Sequence, residues 1–474
     1  MSSHHEHLHR GFKWLGGATI AAKIIDSVTI LLVLLFLTKE QVGIASLVVS
    51  IGMVVEALDG LGTSEALVQA RDVSRLQQDT LFWFILGAAL IMSGLILAAA
   101  PGIEAIYGVA GMAVYFVAVA VKLPLVGAAV IPLANMNREL QYERIAIVNL
   151  CATLAAAITR LGLAIGGAGA WALVAGYSAS GFYILVGAML AKPFWPRLRF
   201  KMPAIVPLLQ FGIRTATSNI LEQLFKNVDY LLIGWFYGTS QLAIYRVAFD
   251  VAMEPAMAVG TLVNRVALPV FARVSAIKEQ LMQSLTWSLR RLMVLVYPLM
   301  TAMILVATPL MQLIHDGQGH SYAAAALPLK ILAAAAMLRV TAQLLYPLVI
   351  GSGRPGTAAR LSAATLLMLS IGMLIVGLCF DAQTGIIAAS AVWLGIYPLL
   401  LVWEARYVRH HWGIAVRELA GIMVVPAVAI GGLVILVEIA RTIAGVIDPT
   451  IQIAIVGAAT ALTYAGLFLH AQQA

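Results

Sequence analysis

Long apolar runs recur along the whole chain with only short polar connections between them, and this pattern decides the class of fold before any motif is considered. Runs of spanning length lie at about 12–37, 42–64, 78–100, 110–134, 145–166, 170–191, 205–236 and 241–270, and then at about 286–312, 324–350, 356–379, 385–408, 418–440 and 449–470. A helix crosses a bilayer with about 20 mostly apolar residues, so these fourteen runs take up nearly all of the 474 residues. The composition agrees: 61% of residues are hydrophobic and only 11% charged, where soluble chains carry about 25% charged residues. A soluble enzyme, a long disordered region and a disulfide scaffold are thereby excluded. The two cysteines, Cys151 and Cys379, lie in apolar segments and read as small core residues.

Orientation follows from the loops, because short cytoplasmic loops collect Lys and Arg. With the N-terminus inside, nineteen basic residues fall on the inner side, among them Arg71, Arg75, Arg138, Arg144, Lys192, Arg197, Arg199 and Lys201, against Lys39 and Arg441 outside. The net charge of +8 is thus a consequence of topology and calls for no nucleic-acid partner. The first apolar segment is too long for a signal-peptide core and lacks a small-residue cleavage pattern, so it is expected to be retained as a span. His4, His5, His7 and His9 have no acidic or Cys partner at fixed spacing, so no metal site is expected, and no cofactor motif occurs.

Sliding the chain over itself by about 200 residues aligns Gly11-Phe12-Lys13 with Gly212-Ile213-Arg214 and Gln41-Val42-Gly43-Ile44 with Gln241-Leu242-Ala243-Ile244. Ala70-Arg71 and Ala272-Arg273 keep nearly the same offset. Two six-helix halves follow, and because six is even both begin on the same side, as in a parallel repeat. The expected architecture is an all-α integral membrane protein of about 14 helices. Its parts are an N-lobe at 1–192, a basic Pro-rich linker at 193–204, a C-lobe at 205–410 and two added helices at 411–474. Pro124, Pro132, Pro255, Pro298, Pro328, Pro347 and Pro398 predict kinks within spans.

Nine basic residues remain inside spans, at Lys23, Lys122, Arg160, Arg214, Lys226, Arg246, Arg265, Lys330 and Arg339. Each costs on the order of 2.5–3.5 kcal/mol near mid-span on insertion scales, so a reason is needed for keeping them. Seven acids accompany them, Asp26, Glu56, Asp59, Glu222, Asp229, Asp250 and Glu254, all on the first two spans of a half. Helical spacing puts Glu222, Lys226 and Asp229 on one stripe, Lys23 and Asp26 on another, and Arg246, Asp250 and Glu254 on a third. Such stripes are expected to face one another or a hydrated cavity between the lobes. Lys122, Arg160 and Arg339 have no opposite charge within one turn of their own helix, so each needs an interhelical carboxylate or an anionic ligand. The ligand is the expectation, which makes the cavity cationic. Arg214, Arg265 and Lys330 lie near the span ends, where snorkelling accounts for them.

The runs Gln210-Phe211-Gly212, Asp229-Tyr230-Leu231-Leu232-Ile233-Gly234, Tyr237-Gly238 and Tyr245-Arg246-Val247-Ala248, with Pro255, Pro269 and Gly351-Ser352-Gly353-Arg354-Pro355, resemble the Wzx-type polysaccharide transporters of the MOP superfamily. Val42-Gly43, Leu61-Gly62 and Leu67-Val68-Gln69 add to the likeness, which extends over essentially the whole chain. The resemblance implies a non-enzymatic flippase in the bacterial cytoplasmic membrane. Its cargo would be an undecaprenyl-diphosphate-linked oligosaccharide, moved to the periplasmic leaflet by alternating access, with proton or sodium coupling and a glycan polymerase as possible partners. Carried onto this sequence, the cargo-binding set is Lys23, Asp26, Lys122, Arg160, Lys226, Arg246 and Arg339, with Glu56, Asp59, Glu222, Asp229, Asp250 and Glu254 as coupling or gating residues. Arg246 departs from the small or polar residue common at its position.

Three other readings compete. An ion-coupled organic-cation exporter of the same superfamily needs an uncompensated acidic site. A membrane-embedded glycan polymerase or ligase needs a sizeable outward loop, and only His315, Asp316 and His320 offer candidates there. A non-transporting scaffold leaves the buried charges without a task.

Overall fold

A computed structural model describes residues 2–59, 62–70, 72–274, 277–351, 355–413, 428, 430–437, 439 and 448–473. Nearly all of them are helical: α1 (Ser2–Leu34), α2 (Lys39–Asp59), α3 (Thr63–Gln69), α4 (Arg75–Tyr107), α5 (Phe116–Arg138), α6 (Tyr142–Ile165), α7 (Trp171–Ala191), α8 (Val206–Val274), α9 (Lys278–Leu313), α10 (Ala326–Gly351), α11 (Pro355–Cys379), α12 (Ala382–Trp412) and α13 (Pro449–Gln473). The protein is a multi-pass, all-α membrane protein. Among the described residues the only β pairing is an isolated bridge between His315 and Ser321.

Among the described residues, ten helices are long and apolar enough to cross a membrane, and a shorter apolar stretch covers Pro449–Ala465. The expected count of fourteen is therefore not established. Two of the expected spans, 205–236 and 241–270, fall almost wholly within the single element α8. The run at 418–440 falls mostly outside the described residues. The connection expected between the two arms of α8 shrinks to Gly238, whose backbone (φ 79°, ψ 177°) lies where a Cβ is disfavoured. Pro124 and Pro132 in α5, Pro298 in α9 and Pro398 in α12 stand inside unbroken helices.

Caps mark the ends that need them. Ser74 opens α4 with a reciprocal capping box: its Oγ accepts from Gln77 N–H at 3.3 Å, and Gln77 Oε1 accepts from Ser74 N–H at 2.9 Å. Asp381 opens α12 by accepting from Thr384 N–H at 2.8 Å, and Gly413 closes that helix in the left-handed conformation.

The chain divides into two compact units, Met1–Ala243 and Ile244–Ala474. By contact, the first unit extends past the basic linker at 193–204. Phe194, Ile205, Leu208 and Leu209 are buried with Ala66, Leu67, Leu81, Ile85, Ile131 and Ala134. Polar contacts gather three connections at this same end. Arg138 Nη1 donates to the carbonyls of Leu67 (2.6 Å) and Ala70 (2.8 Å), Trp83 Nε1 donates to Arg197 O (2.9 Å), Lys192 Nζ lies 2.6 Å from Glu139, and Arg75 donates to Trp195 O. The connections about 65–75, 135–144 and 192–205, which the charge pattern assigns to one side, thus share one end of the first unit. At the opposite end Tyr115 packs on Trp171, and Tyr107 Oη donates to Leu231 O.

On both sides of Gly238, α8 approaches α2 at a distance only glycine permits: a Cβ on Gly43 would stand 1.9 Å from Thr239 O, and one on Gly234 would stand 2.4 Å from Leu47 Cδ2. Large apolar side chains such as Ile91, Ile158, Leu190 and Leu378 point outward, as a hydrocarbon solvent requires. Cys151 and Cys379 are exposed as well, which corrects their assignment to the core. In a bilayer an apolar sequence context does not mean the interior, because lipid solvates apolar groups as well as a core does.

Candidate functional site

Three helices of the first unit bring a buried charge cluster together. Lys122 lies two turns into α5, where only 6% of its surface is exposed, and an ammonium so placed is kept only when partnered. Its Nζ sits 2.7 Å from Glu56 Oε2 on α2 and 3.4 Å from the ring centroid of Tyr177 on α7. Tyr177 Oη donates to the same Glu56 oxygen at 2.5 Å. Carboxylate, ammonium and phenol thus form a closed triad, each member touching the other two. The stem of Lys122 lies against Gly181, where a Cβ would be 3.0 Å from Lys122 Cγ.

The triad faces a cavity of about 380 Å³ lined by Met53, Glu56, Ala57, Lys122, Tyr177, Asn219, Glu222 and Gln223. The last three come from the first arm of α8, where Glu222 also takes Lys226 Nζ at 2.6 Å in an exposed pair one turn apart. A cavity of this size is at the lower end of those that hold small ligands. A second interhelical pair, half-buried, joins α6 to α1: Arg160 Nη2 lies 2.5 Å from Asp26 Oδ1, and Arg160 Nε has no hydrogen-bond partner among the described residues.

The expectation for Lys122 and Arg160 is thereby revised, since each has an interhelical carboxylate already in place. The cavity wall is not cationic either, for it carries two carboxylates and one ammonium. Of the remaining residues singled out by sequence, Lys23 is exposed on α1 and Asp229 is buried in α8, its Oδ1 accepting from Tyr230 N–H at 2.9 Å. The side chain of Asp59 lies outside the described residues, as do those of Arg214 and Arg265. In the second unit Arg246 Nε pairs with Asp250 Oδ2 at 3.2 Å, and Glu254 is half-buried on the same arm. Arg339 is buried, its guanidinium 5.1 Å from the Trp393 ring and 4.0 Å from Met253 Sδ. Trp393 in turn donates to Tyr245 Oη at 2.8 Å.

Sequence reasoning missed Tyr177, Asn219 and Gln223, together with the glycines that make room for the cations. The signal for Tyr177 was the run Ala175-Gly176-Tyr177-Ser178-Ala179-Ser180-Gly181, whose small residues let other helices approach α7 closely. In the hairpin between α9 and α10, Asp316 Oδ1 is occupied by the backbone N–H groups of Gln318 (3.0 Å) and His320 (2.8 Å), so it builds a turn. Among the described residues no group of three His, Cys, Asp or Glu side chains is arranged to hold a metal ion.

Similarity to known proteins identifies the family. WzxC, a lipopolysaccharide biosynthesis protein of Escherichia coli K12, is 22% identical over 273 residues, 57% of this chain and 56% of its own length, so the chain spans little more than half of that relative. TuaB, a teichuronic acid biosynthesis protein of Bacillus subtilis 168, is 22% identical over 380 residues, 77% of this chain and 75% of its own. Among solved structures, the lipid II flippase MurJ in an inward closed conformation superposes with a TM-score of 0.74 at 14% identity, covering 97% of this chain and 99% of that one. An inward-facing multidrug transporter of the MATE family, MOP superfamily, gives 0.62 at 15% identity over 82% and 95%. At these identities the likeness establishes the fold alone. The family model described as "Polysaccharide biosynthesis protein" matches residues 33–323, more than half of the sequence, and the chain belongs to that family.

Proposed function

We propose that the protein is a flippase that carries an undecaprenyl-diphosphate-linked oligosaccharide from the cytoplasmic to the periplasmic leaflet of a bacterial inner membrane by alternating access, with its N-terminus in the cytoplasm. The observation that carries this reading is Lys122, an ammonium kept in the membrane-spanning part of the first unit at the wall of a cavity, where an aliphatic residue would be cheaper. A diphosphate is the part of such a cargo that a buried ammonium recognises, and the polar wall of Asn219, Gln223 and Tyr177 offers hydrogen bonds to sugar hydroxyls. Arg160 with Asp26 in the first unit, and Arg246 and Arg339 in the second, are the further charged groups that cargo would engage, with the acids as gates. The names of the relatives by sequence, which concern lipopolysaccharide and teichuronic acid biosynthesis, support a glycolipid cargo in preference to an organic cation.

The test is leaflet exchange of a diphosphate-linked glycolipid in vesicles containing the purified protein, with Lys122→Ala, Arg160→Ala and Arg339→Ala measured alongside. Exchange that depends on the protein and falls at least tenfold in Lys122→Ala is the expected outcome. Unchanged exchange in all three variants overturns the mechanism.

A further inference from the structure

The linker at 193–204 interleaves bases with large apolar side chains and leaves both outside the packed interior. Trp195 is 75% exposed, Leu198 90% and Phe200 60%, with Arg197, Arg199 and Lys201 exposed between and after them. From 193 to 201 the backbone is neither helix nor strand, so the segment cannot lie among lipid tails as the spanning helices do. Among the described residues Arg197, Arg199 and Lys201 form no ion pair.

Hydrogen bonds hold this backbone against α4. Arg75 donates to Trp195 O, Asp79 Oδ1 accepts from Arg197 N–H at 3.2 Å, and Trp83 Nε1 donates to Arg197 O at 2.9 Å. Beyond them Thr80 Oγ1 accepts from Lys201 N–H at 3.2 Å, and Gln77 Nε2 donates to Ala204 O at 3.0 Å. In chain order these contacts climb α4 from Arg75 to Trp83, about two turns, and then return to Thr80 and Gln77. The linker is thus a wedge. Its tip around Arg197 stands where α4 passes from the polar stretch Arg75–Thr80 into the apolar Leu81-Phe82-Trp83-Phe84. Asp79, fully buried, is the positioning residue, since its Oδ1 also holds Arg75 Nε at 3.3 Å.

The border between polar and apolar sequence on a spanning helix marks the headgroup zone, which takes aromatic rings, cations and irregular backbone together. We propose that the linker docks anionic phospholipid in the leaflet at this end of the first unit. Headgroup phosphates engage Arg197, Arg199 and Lys201, while Trp195, Leu198 and Phe200 enter the boundary with the acyl chains. The depth of the tip argues against a soluble protein partner, which stays in the water beyond the headgroups. Such docking is independent of the cargo, so its failure leaves the flippase reading intact.

The test uses the full chain, free of cargo, in nanodiscs of phosphatidylcholine alone or of phosphatidylcholine and phosphatidylglycerol in equal parts. A nitroxide is attached at Leu198→Cys after the two exposed native cysteines are replaced, Cys151→Ala and Cys379→Ala. The label is expected at headgroup depth, and more shielded from a water-soluble nickel complex when phosphatidylglycerol is present. A label equally open to the complex in both nanodiscs overturns the proposal and turns this face toward a soluble partner. Lipid retained by the detergent-purified chain is counted by native mass spectrometry. Each basic residue beside an anionic surface is worth about fivefold in binding, so retention of phosphatidylglycerol is expected to fall at least tenfold when Arg197→Gln, Arg199→Gln and Lys201→Gln are combined. Arg197→Lys with Arg199→Lys is expected to keep it. Equal retention of the two lipids by the native chain, or undiminished retention of phosphatidylglycerol in the triple variant, overturns the proposal. The depth of the label, read with all three bases in place, decides the matter even where the triple variant does not fold.

Discussion

Gly176 of α7 stands so close to Arg160 of α6 that a Cβ there would lie 2.0 Å from the arginine Cγ and 2.8 Å from its Cδ. The absence of one side chain on α7 thus sets where the guanidinium of α6 goes, and from there it reaches Asp26 on α1. Gly176→Ala is expected to expel Arg160 from that pair and to cost about 1–3 kcal/mol through overpacking, with leaflet exchange falling to the level of Arg160→Ala. Gly87→Ala in α4, with nothing within 4 Å of the added carbon, is the control. It is expected to stabilise by about 0.5–1 kcal/mol. Thermal unfolding in detergent separates the two.

Breaking the Glu56–Lys122 pair from one side leaves a buried charge behind. Glu56→Ala is expected to destabilise by about 3–5 kcal/mol, because Lys122 then keeps its burial and loses its carboxylate. The double variant Glu56→Met with Lys122→Met is expected to recover stability to within about 1 kcal/mol of the native protein while abolishing glycolipid exchange. A double-mutant cycle in unfolding temperature, read beside exchange in vesicles, checks both halves.

The Glu222–Lys226 pair behaves differently, being 60% and 46% exposed. Solvent screening leaves such a pair worth at most about 0.5 kcal/mol, so Lys226→Gln is expected to leave the unfolding temperature unchanged. Because Glu222 lines the cavity, the same substitution leaves its carboxylate without a counter-ion and is expected to slow exchange severalfold. A variant that lost stability instead would place this pair among the structural contacts.

At the start of α12 the fully exposed Asp381 accepts from Thr384 Oγ1 at 2.5 Å and from Thr384 N–H at 2.8 Å, and these bonds hold its carboxyl below the ordinary value of 3.8. The folded state therefore binds this proton less readily than the unfolded chain. The cap's contribution is complete above the unfolded value near 3.8 and is lost as pH falls through the lowered folded value. The gap in unfolding temperature between native protein and Asp381→Asn is expected to be constant from pH 5 to 7 and to close below about pH 3.8.

The fold class was legible because hydropathy over some twenty residues is a local property that each helix carries in its own sequence. The clustering of basic connections was legible for the same reason, and the structure gathers 65–75, 135–144 and 192–205 at one end of the first unit. Pairing was not legible. Glu56 and Lys122 are 66 residues apart, and Asp26 and Arg160 farther still, so no helical spacing connects them. Lys122 looked unaccompanied only because its carboxylate belongs to another helix. Tyr177 went unnoticed because a tyrosine in a span is unremarked until something stands over its ring.

By itself the sequence determined a multi-helix membrane protein with charges retained at a price in insertion energy, since transfer between water and hydrocarbon depends on each side chain's own chemistry. Which charges meet, which glycines admit them, and that the cavity wall is balanced where it was expected to be cationic, were decided only by tertiary structure. Coulomb attraction and steric contact act over a few ångströms, and such distances exist only after the helices have packed.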